Sequence, residues 1–180
     1  MFFTIHLILY QENIFLMKTS KTYTIVSLLI LALIGFYFYN KYNVAPKINV
    51  TQLQVVDDKS QNFDFETLKG KKVILSFYAS WCPNCIDELQ VLNKINNEKL
   101  KDVTVLCITD EPIEKMISFR DKKQYPFTFL KLIKPFHEMG IHSIPTVYLM
   151  NTNNKIVYDK VGYVNWEDES TLSHLKALMD

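Results

Sequence analysis

The feature that most constrains this chain is a pair of cysteines placed directly after a continuous apolar run. Residues 73–79 read VILSFYA, and Cys82 and Cys85 follow in the motif WCPNC. A run of this kind is typical of a strand that is buried on both faces. Apolar residues then recur at three-to-four spacing, which predicts a helix over Asn84–Asn97. The two cysteines are therefore predicted to lie at a strand-to-helix junction.

Two thiols in this position can close a disulfide and reopen it. A helix N-terminus carries about half a positive charge, which stabilises a thiolate there. We therefore expect Cys82 to have a pKa below the usual value of about 8.5 and to be the attacking thiol. Cys85, one turn further along, would be the resolving thiol.

A Cys-x-x-Cys pair can also be half of a zinc site. The other cysteine, Cys107, lies in the middle of a predicted strand. His137 and His142 follow roughly fifty residues after the pair, much further than zinc-finger spacings allow. The sequence favours a redox pair and no metal.

The composition fits one globular domain and an appendage. The chain has 180 residues and a net charge of +1, and a domain of about 100–150 residues is the usual size. A charge this close to zero offers no basic patch for nucleic acid. The three cysteines are consistent with one redox-active pair and a third cysteine outside it, and not with a framework of structural disulfides.

The appendage is predicted to be a membrane anchor over residues 23–39. This stretch carries no charge, and with its flanks it just covers a hydrocarbon layer of ~30 Å. No small-residue cleavage site follows, so we expect an uncleaved anchor in the lipid bilayer. The flanking lysines do not determine the orientation of this anchor in the membrane. Residues 1–22 are predicted to be an N-terminal extension. We hypothesise that Met17 is the natural initiator; the alternative is that the first sixteen residues are an ordinary disordered or interfacial extension. Residues 40–48 are a polar tether to a domain over residues 49–180.

Within that domain, predicted strands alternate with predicted helices, and the chain ends in a hairpin and a helix. This order predicts an α/β fold with a mixed sheet. The strands are expected over residues 51–56, 63–65, 71–79, 102–109, within 125–133, and over 146–150 and 155–161; the helices over 84–97, 112–122, 135–139 and 167–179.

A second motif, Ser143-Ile144-Pro145-Thr146, stands just before an apolar strand. Proline at a strand entry marks a turn or a sheet edge. Together with Trp-Cys-x-x-Cys upstream, it makes residues 49–180 resemble the thioredoxin superfamily, and most of all its membrane-tethered TlpA/ResA-like branch. The resemblance implies a thioredoxin-like fold, a central mixed sheet flanked by helices, with one N-terminal transmembrane helix. It also implies a redox-active disulfide between Cys82 and Cys85, and no metal or organic cofactor.

The resemblance also implies roles for residues around the cysteines. Pro145 is expected to be cis and to pack against them, and Ile144 to offer backbone groups to a substrate peptide. Trp81 and Pro83 are expected to contact the substrate as well, although Trp81 could instead pack in the core.

In the TlpA/ResA-like branch an acidic residue three positions after the second cysteine tunes the thiols, and Glu88 matches it. Cys85 and Glu88 are one helical turn apart on the same side, and a carboxylate there could accept a proton. The alternative is a solvated glutamate with no role. Thioredoxin has a buried aspartate where Ser76 stands, so proton transfer is expected to run through Glu88.

The function that this resemblance implies is reduction of protein disulfides, with apocytochrome c as one substrate. The protein would sit in a bacterial inner membrane with its domain outside the cytoplasm, and a membrane relay would supply electrons. Two alternatives stay open at this point. One is an oxidase or isomerase that installs disulfides, and the other is a non-catalytic binding module of the same fold.

Overall fold

The computed structural model describes the backbone of residues 2–180 and the side chains of residues 21–180. The chain divides into two compact units, residues 1–41 and residues 42–180. The first is formed by helix α1, which spans Phe2–Asn43. Its part Lys21–Asn43 is long and apolar enough to cross a membrane, and it contains the predicted span 23–39. The side chains of the predicted extension up to residue 20, including the proposed initiator Met17, lie outside the described residues.

The second unit is built on a sheet of six strands, and the sheet is mixed, as predicted. The strand order is β1-β4-β3-β2-β5-β6; β3 is parallel to β2 and β4, and the other neighbours are antiparallel. The strands are β1 Val55–Val56, β2 Lys72–Phe77, β3 Val103–Thr109, β4 Thr128–Leu132, β5 Thr146–Met150 and β6 Ile156–Val161. The helices are α2 Pro83–Lys99, α3 Ile113–Lys123 and α4 Glu169–Leu178, with 3-10 helices at Val50–Gln52, Phe65–Leu68 and Phe136–Met139.

Each face of the sheet carries its own hydrophobic core. One core joins the sheet to α2, α3 and α4 through residues such as Leu89, Met116 and Leu172. The other lies against the three 3-10 helices, which contribute Val50, Phe65 and Phe136 among others. The sheet is thus buried on both sides, which explains the uninterrupted apolar run in β2.

The place of β2 in the sheet determines where the functional residues meet. It lies between β3 and β5, with Ser76 opposite Cys107 and Phe77 opposite Thr146. The C-terminal end of β2, which leads into the cysteine motif, is therefore beside the N-terminal end of β5, which follows Pro145.

The start of the domain differs from the predicted strand over residues 51–56. The side chain of Asn49 accepts hydrogen bonds from the backbone N–H and the hydroxyl of Thr51. This local bonding favours a 3-10 turn over a strand, and only Val55–Val56 is extended, pairing with β4 at the sheet edge. In place of the predicted strand over residues 63–65, Val56 forms an isolated bridge with Asn62, and a 3-10 helix begins at Phe65.

Residues 45–48, inside the predicted tether, contact the domain. The hydroxyl of Tyr148 donates a hydrogen bond to the carbonyl oxygen of Pro46 at 2.7 Å. Ala45 and Ile48 pack against the second core. Gly140 has a φ of +75°, and a Cβ built on it would lie 3.2 Å from the Cβ of Pro46.

Candidate active site

The cysteine motif occupies a turn between β2 and α2. The backbone N–H of Tyr78 donates to the carbonyl oxygen of Ile108 at 2.9 Å, which extends the β2–β3 pairing. The N–H of Cys82 then donates to the carbonyl oxygen of Ala79 at 3.1 Å, closing a tight turn. Pro83 opens α2, where its missing N–H costs no hydrogen bond. The predicted strand-to-helix junction is confirmed.

Cys82 and Cys85 are joined by a disulfide, with their Cα atoms 5.3 Å apart. Cys82 is the N-cap of α2, and its Sγ accepts a hydrogen bond from the backbone N–H of Cys85 at 3.2 Å. The side chain of Cys82 is 6% exposed and that of Cys85 only 1%. The sulfur nearer to solvent is thus the one at the positive end of the helix, where a thiolate is stabilised.

The second motif lies against this disulfide. The Ile144–Pro145 peptide bond is cis, and the carbonyl oxygen of Ile144 is 3.9 Å from the Sγ of Cys82. Two hydrogen bonds hold the loop: the hydroxyl of Thr146 donates to the Ser143 carbonyl oxygen, and Gly162 N–H donates to the Pro145 carbonyl oxygen. The structure therefore brings residues 144 and 145 next to Cys82, more than sixty positions away along the chain.

Two predicted contact residues lie on the surface beside the disulfide. The side chain of Trp81 is 70% exposed, so the alternative that it packs in the core is wrong. Pro83 is exposed as well. Both are thus accessible to a large partner.

Glu88 is fully buried on the inner face of α2, which excludes the alternative of a solvated helix residue. Its Oε1 accepts hydrogen bonds from the backbone N–H of Val164 at 3.0 Å and from the indole Nε1–H of Trp166 at 3.2 Å. Its Oε2 is buried without a hydrogen-bond partner among the side chains described. Burial raises the pKa of Glu88 to about 7, against the opposing effect of the two hydrogen bonds.

Further buried polar groups lie on the same face of the sheet as α2. The hydroxyl oxygens of Ser76 and Tyr78 also have no hydrogen-bond partner within residues 21–180. Cys107, opposite Ser76, is a buried free thiol, as predicted. Burial, with a smaller contribution from Glu88, raises the pKa of the Cys107 thiol well above its ordinary value, so this thiol is unreactive at neutral pH.

Sequence reasoning did not single out two residues that the structure brings to the site. Trp166 is fully buried and holds Glu88, and Glu111 accepts hydrogen bonds from the backbone N–H and the hydroxyl of Ser80. A signal for Glu111 exists in the sequence, because it follows the C-terminal end of β3. The C-terminal ends of the parallel strands β2 and β3 lie at one edge of the sheet. Trp166 has no comparable signal.

Fold and site together define a dithiol–disulfide redox protein: a mixed sheet, a disulfide at a helix N-terminus and a cis proline beside it. The chain belongs to the Redoxin family, whose model matches residues 42–177.

Curated relatives carry names of the same chemistry. The thioredoxin-like protein YneN of Bacillus subtilis is 28% identical over 77% of this chain and 89% of its own length. The thiol-disulfide oxidoreductase ResA of Bacillus anthracis is 25% identical over 81% and 90%. The thiol:disulfide interchange protein DsbE of Escherichia coli K12 is 26% identical over 66% of each.

Solved structures support the thioredoxin-like fold. StoA from Bacillus subtilis superposes with a TM-score of 0.55 at 22% identity, covering 75% of this chain and 100% of its own. A thioredoxin-like protein from Porphyromonas gingivalis gives a TM-score of 0.60 at 20% identity, covering 71% and 89%. Family, relatives and the Cys82–Cys85 disulfide establish the chain as a thiol–disulfide oxidoreductase.

Proposed function

We propose that this protein is a membrane-anchored, extracytoplasmic reductase of protein disulfides. The observation that carries the proposal is the buried carboxyl of Glu88, one helical turn from Cys85, with one oxygen that has no partner among the described residues. In the reductive direction the resolving thiol must lose a proton within a buried site before it attacks, and the reverse reaction returns that proton. A carboxyl with a pKa near 7 is suited to accept and return that proton at neutral pH.

The reaction has two exchange steps. The thiolate of Cys82 attacks one sulfur of the substrate disulfide, which forms a mixed disulfide and releases the other substrate sulfur as a thiolate that takes up a proton. Cys85 then transfers its proton to Glu88 and attacks Cys82 Sγ, so that the mixed disulfide breaks and the second substrate sulfur leaves as a thiolate, which takes up the proton that Glu88 returns. Two electrons pass from the enzyme dithiol to the substrate, and the Cys82–Cys85 disulfide remains.

The substrate segment would lie across the surface formed by Trp81, Pro83, Ile144 and Pro145. Exposed Trp81 offers a large apolar contact. The backbone of Ile144, beside Cys82 Sγ, can bind an extended peptide through main-chain hydrogen bonds. We therefore expect proteins to be the preferred substrates, because both backbone and side-chain contacts would contribute to the affinity.

The apolar segment Lys21–Asn43 supports anchoring in a bacterial inner membrane through residues 23–39. An extracytoplasmic site fits a working disulfide, since oxidised proteins occur there. Apocytochrome c is proposed as a substrate because the chain resembles the TlpA/ResA-like branch. The relatives named ResA and DsbE agree with that resemblance. The proposed electron source is a dithiol protein of the membrane.

Trapping tests the proposal in cells. A Cys85→Ser variant retains the attacking thiol but cannot resolve the mixed disulfide, so it should accumulate covalent adducts with extracytoplasmic proteins that dithiothreitol releases. A Cys82→Ser variant should give none, and Cys107→Ser, which alters the buried third cysteine, should behave as wild type. Adducts confined to cytoplasmic proteins would contradict the proposed location. If cells that carry the Cys82→Ser variant keep the phenotype of cells with the wild-type protein, the result would favour the alternative of a non-catalytic binding module.

A further inference from the structure

A buried carboxyl group near the end of β3 binds the turn that presents Cys82. Residues 79–82 form a tight turn closed by the Cys82 N–H and the Ala79 carbonyl oxygen at 3.1 Å. Ser80 is the first central residue of this turn, and its N–H is not used by the turn itself. That N–H donates to Oε2 of Glu111 at 2.6 Å, and the Ser80 hydroxyl donates to Oε1 at 2.9 Å.

Glu111 is itself fixed in place. It is only 7% exposed, and its backbone N–H donates to the hydroxyl oxygen of Thr109, the last residue of β3, at 3.2 Å. Both oxygens of the carboxyl group therefore face the turn from a rigid strand end. Two hydrogen bonds from a single residue fix the direction as well as the distance of Ser80, as paired bonds do.

We propose that Glu111 is a positioning residue for thiol exchange: it orients the turn so that Cys82 Sγ faces the incoming disulfide beside Ile144. Sulfur exchange requires the three sulfur atoms to be in line, and a displacement of about 1 Å can cost on the order of a hundredfold in rate. Trp81 lies between Ser80 and Cys82, so the same contact also sets the direction of the exposed indole. This inference concerns the exchange step and holds for either direction of electron flow.

The neighbouring residue Asp110 supplies a matched control. Its Oδ2 accepts a hydrogen bond from the backbone N–H of Phe136 at 2.9 Å. This is the same kind of carboxyl-to-backbone contact from the same strand end, but it holds a loop on the other core. A general loss of loop anchoring should therefore affect both variants, whereas a positioning role should affect only Glu111.

The test measures the rate at which the reduced full-length protein, in detergent, reacts with dithiobis-nitrobenzoate. Glu111→Ala should slow the reaction about tenfold, with faster amide hydrogen exchange at Ser80 and Cys82. Glu111→Gln, which keeps an acceptor for the Ser80 N–H, should stay within about threefold of wild type. Asp110→Ala should react at the wild-type rate.

A wild-type rate for Glu111→Ala, or an equal loss in Asp110→Ala, would overturn the proposal. So would a Glu111→Gln variant as slow as Glu111→Ala, because that result would assign the effect to charge and not to hydrogen-bond geometry. If Glu111→Ala does not fold, Ser80→Ala removes the hydroxyl contact alone and should slow the reaction about threefold. An unchanged rate in that variant would then refute the positioning role.

Discussion

The indole N–H of Trp166 donates a hydrogen bond to Oε1 of Glu88 at 3.2 Å, linking two fully buried residues that are 78 positions apart in the chain. This contact, with the Val164 N–H, binds one carboxyl oxygen and leaves Oε2 without a partner among the described groups. Val164 and Trp166, which lie before α4, therefore help to set the pKa of Glu88 on α2.

The stability of the oxidised protein should depend on pH through Glu88. The pKa of this carboxyl has an ordinary value of 4.5 and rises to about 7 in the folded protein. Between pH 4.5 and pH 7 the unfolded chain therefore loses a proton that the folded chain keeps. The free energy of unfolding should then fall as pH rises from about 4.5 to about 7, by on the order of 3 kcal/mol, and level off above. Urea unfolding of wild type and Glu88→Gln measures this. An equal slope in both proteins would contradict the assignment.

Replacing Trp166 by Phe should raise the pKa of Glu88 further, because the lost hydrogen bond stabilises the charged carboxylate. The pH range over which the free energy of unfolding falls should therefore extend to higher pH. The variant should also be less stable by about 1–3 kcal/mol, from the lost hydrogen bond and the smaller ring. Trp81→Phe is the control, since this tryptophan is exposed and should change neither quantity. An unshifted window in Trp166→Phe would argue against the contact.

Glu88→Gln should slow the second exchange step, since the amide cannot take the proton of Cys85. In stopped-flow measurements the release of substrate from the mixed disulfide should fall about 10²-fold near neutral pH, while the first attack by Cys82 keeps its rate. Raising the pH should recover part of the loss, as hydroxide then removes the proton. Equal slowing of both steps would instead indicate a structural role for the carboxyl.

A pair of glycine variants tests the packing of Pro46 on the domain. Gly140 and Gly70 both have positive φ values, +75° and +84°, but only a Cβ on Gly140 would meet Pro46, at 3.2 Å. Both alanine variants should lose about 1–2 kcal/mol to backbone strain. Gly140→Ala should lose roughly 1 kcal/mol more through the crowded contact. Equal losses in thermal or urea unfolding would mean that residue 46 moves aside freely.

The active site could be predicted from the sequence where its signals are local. Three such signals lie close together within residues 73–97: the apolar run that ends at Ala79, the spacing of the two cysteines and the helical periodicity after Pro83. Glu88 is a candidate through the family resemblance, which expects an acidic residue three positions after the second cysteine. Its burial is not predicted, because a glutamate on a helix is as often solvated, although the apolar stripe of residues 85, 89 and 92 includes position 88 in its buried face.

The remaining contacts depend on pairings that the sequence does not encode locally. Glu111 and Ser80 are 31 positions apart, and they meet only because β2 and β3 are parallel neighbours. Trp166 reaches Glu88 from an irregular segment before α4, where no periodicity gives a direction to its side chain. The first strand is shorter than predicted, because the side chain of Asn49 accepts a hydrogen bond from the Thr51 N–H and this turn competes with an extended backbone.

The reduction potential of the Cys82–Cys85 pair tests the proposed direction of electron flow most directly. The purified protein would be equilibrated with glutathione or dithiothreitol buffers and its free thiols trapped, with Cys107→Ser used to remove the third cysteine from the count. A reductase should give a value near that of thioredoxin, roughly −270 mV. A value near that of a strong oxidant, roughly −120 mV, would mean that this protein donates disulfides, and it would contradict the account.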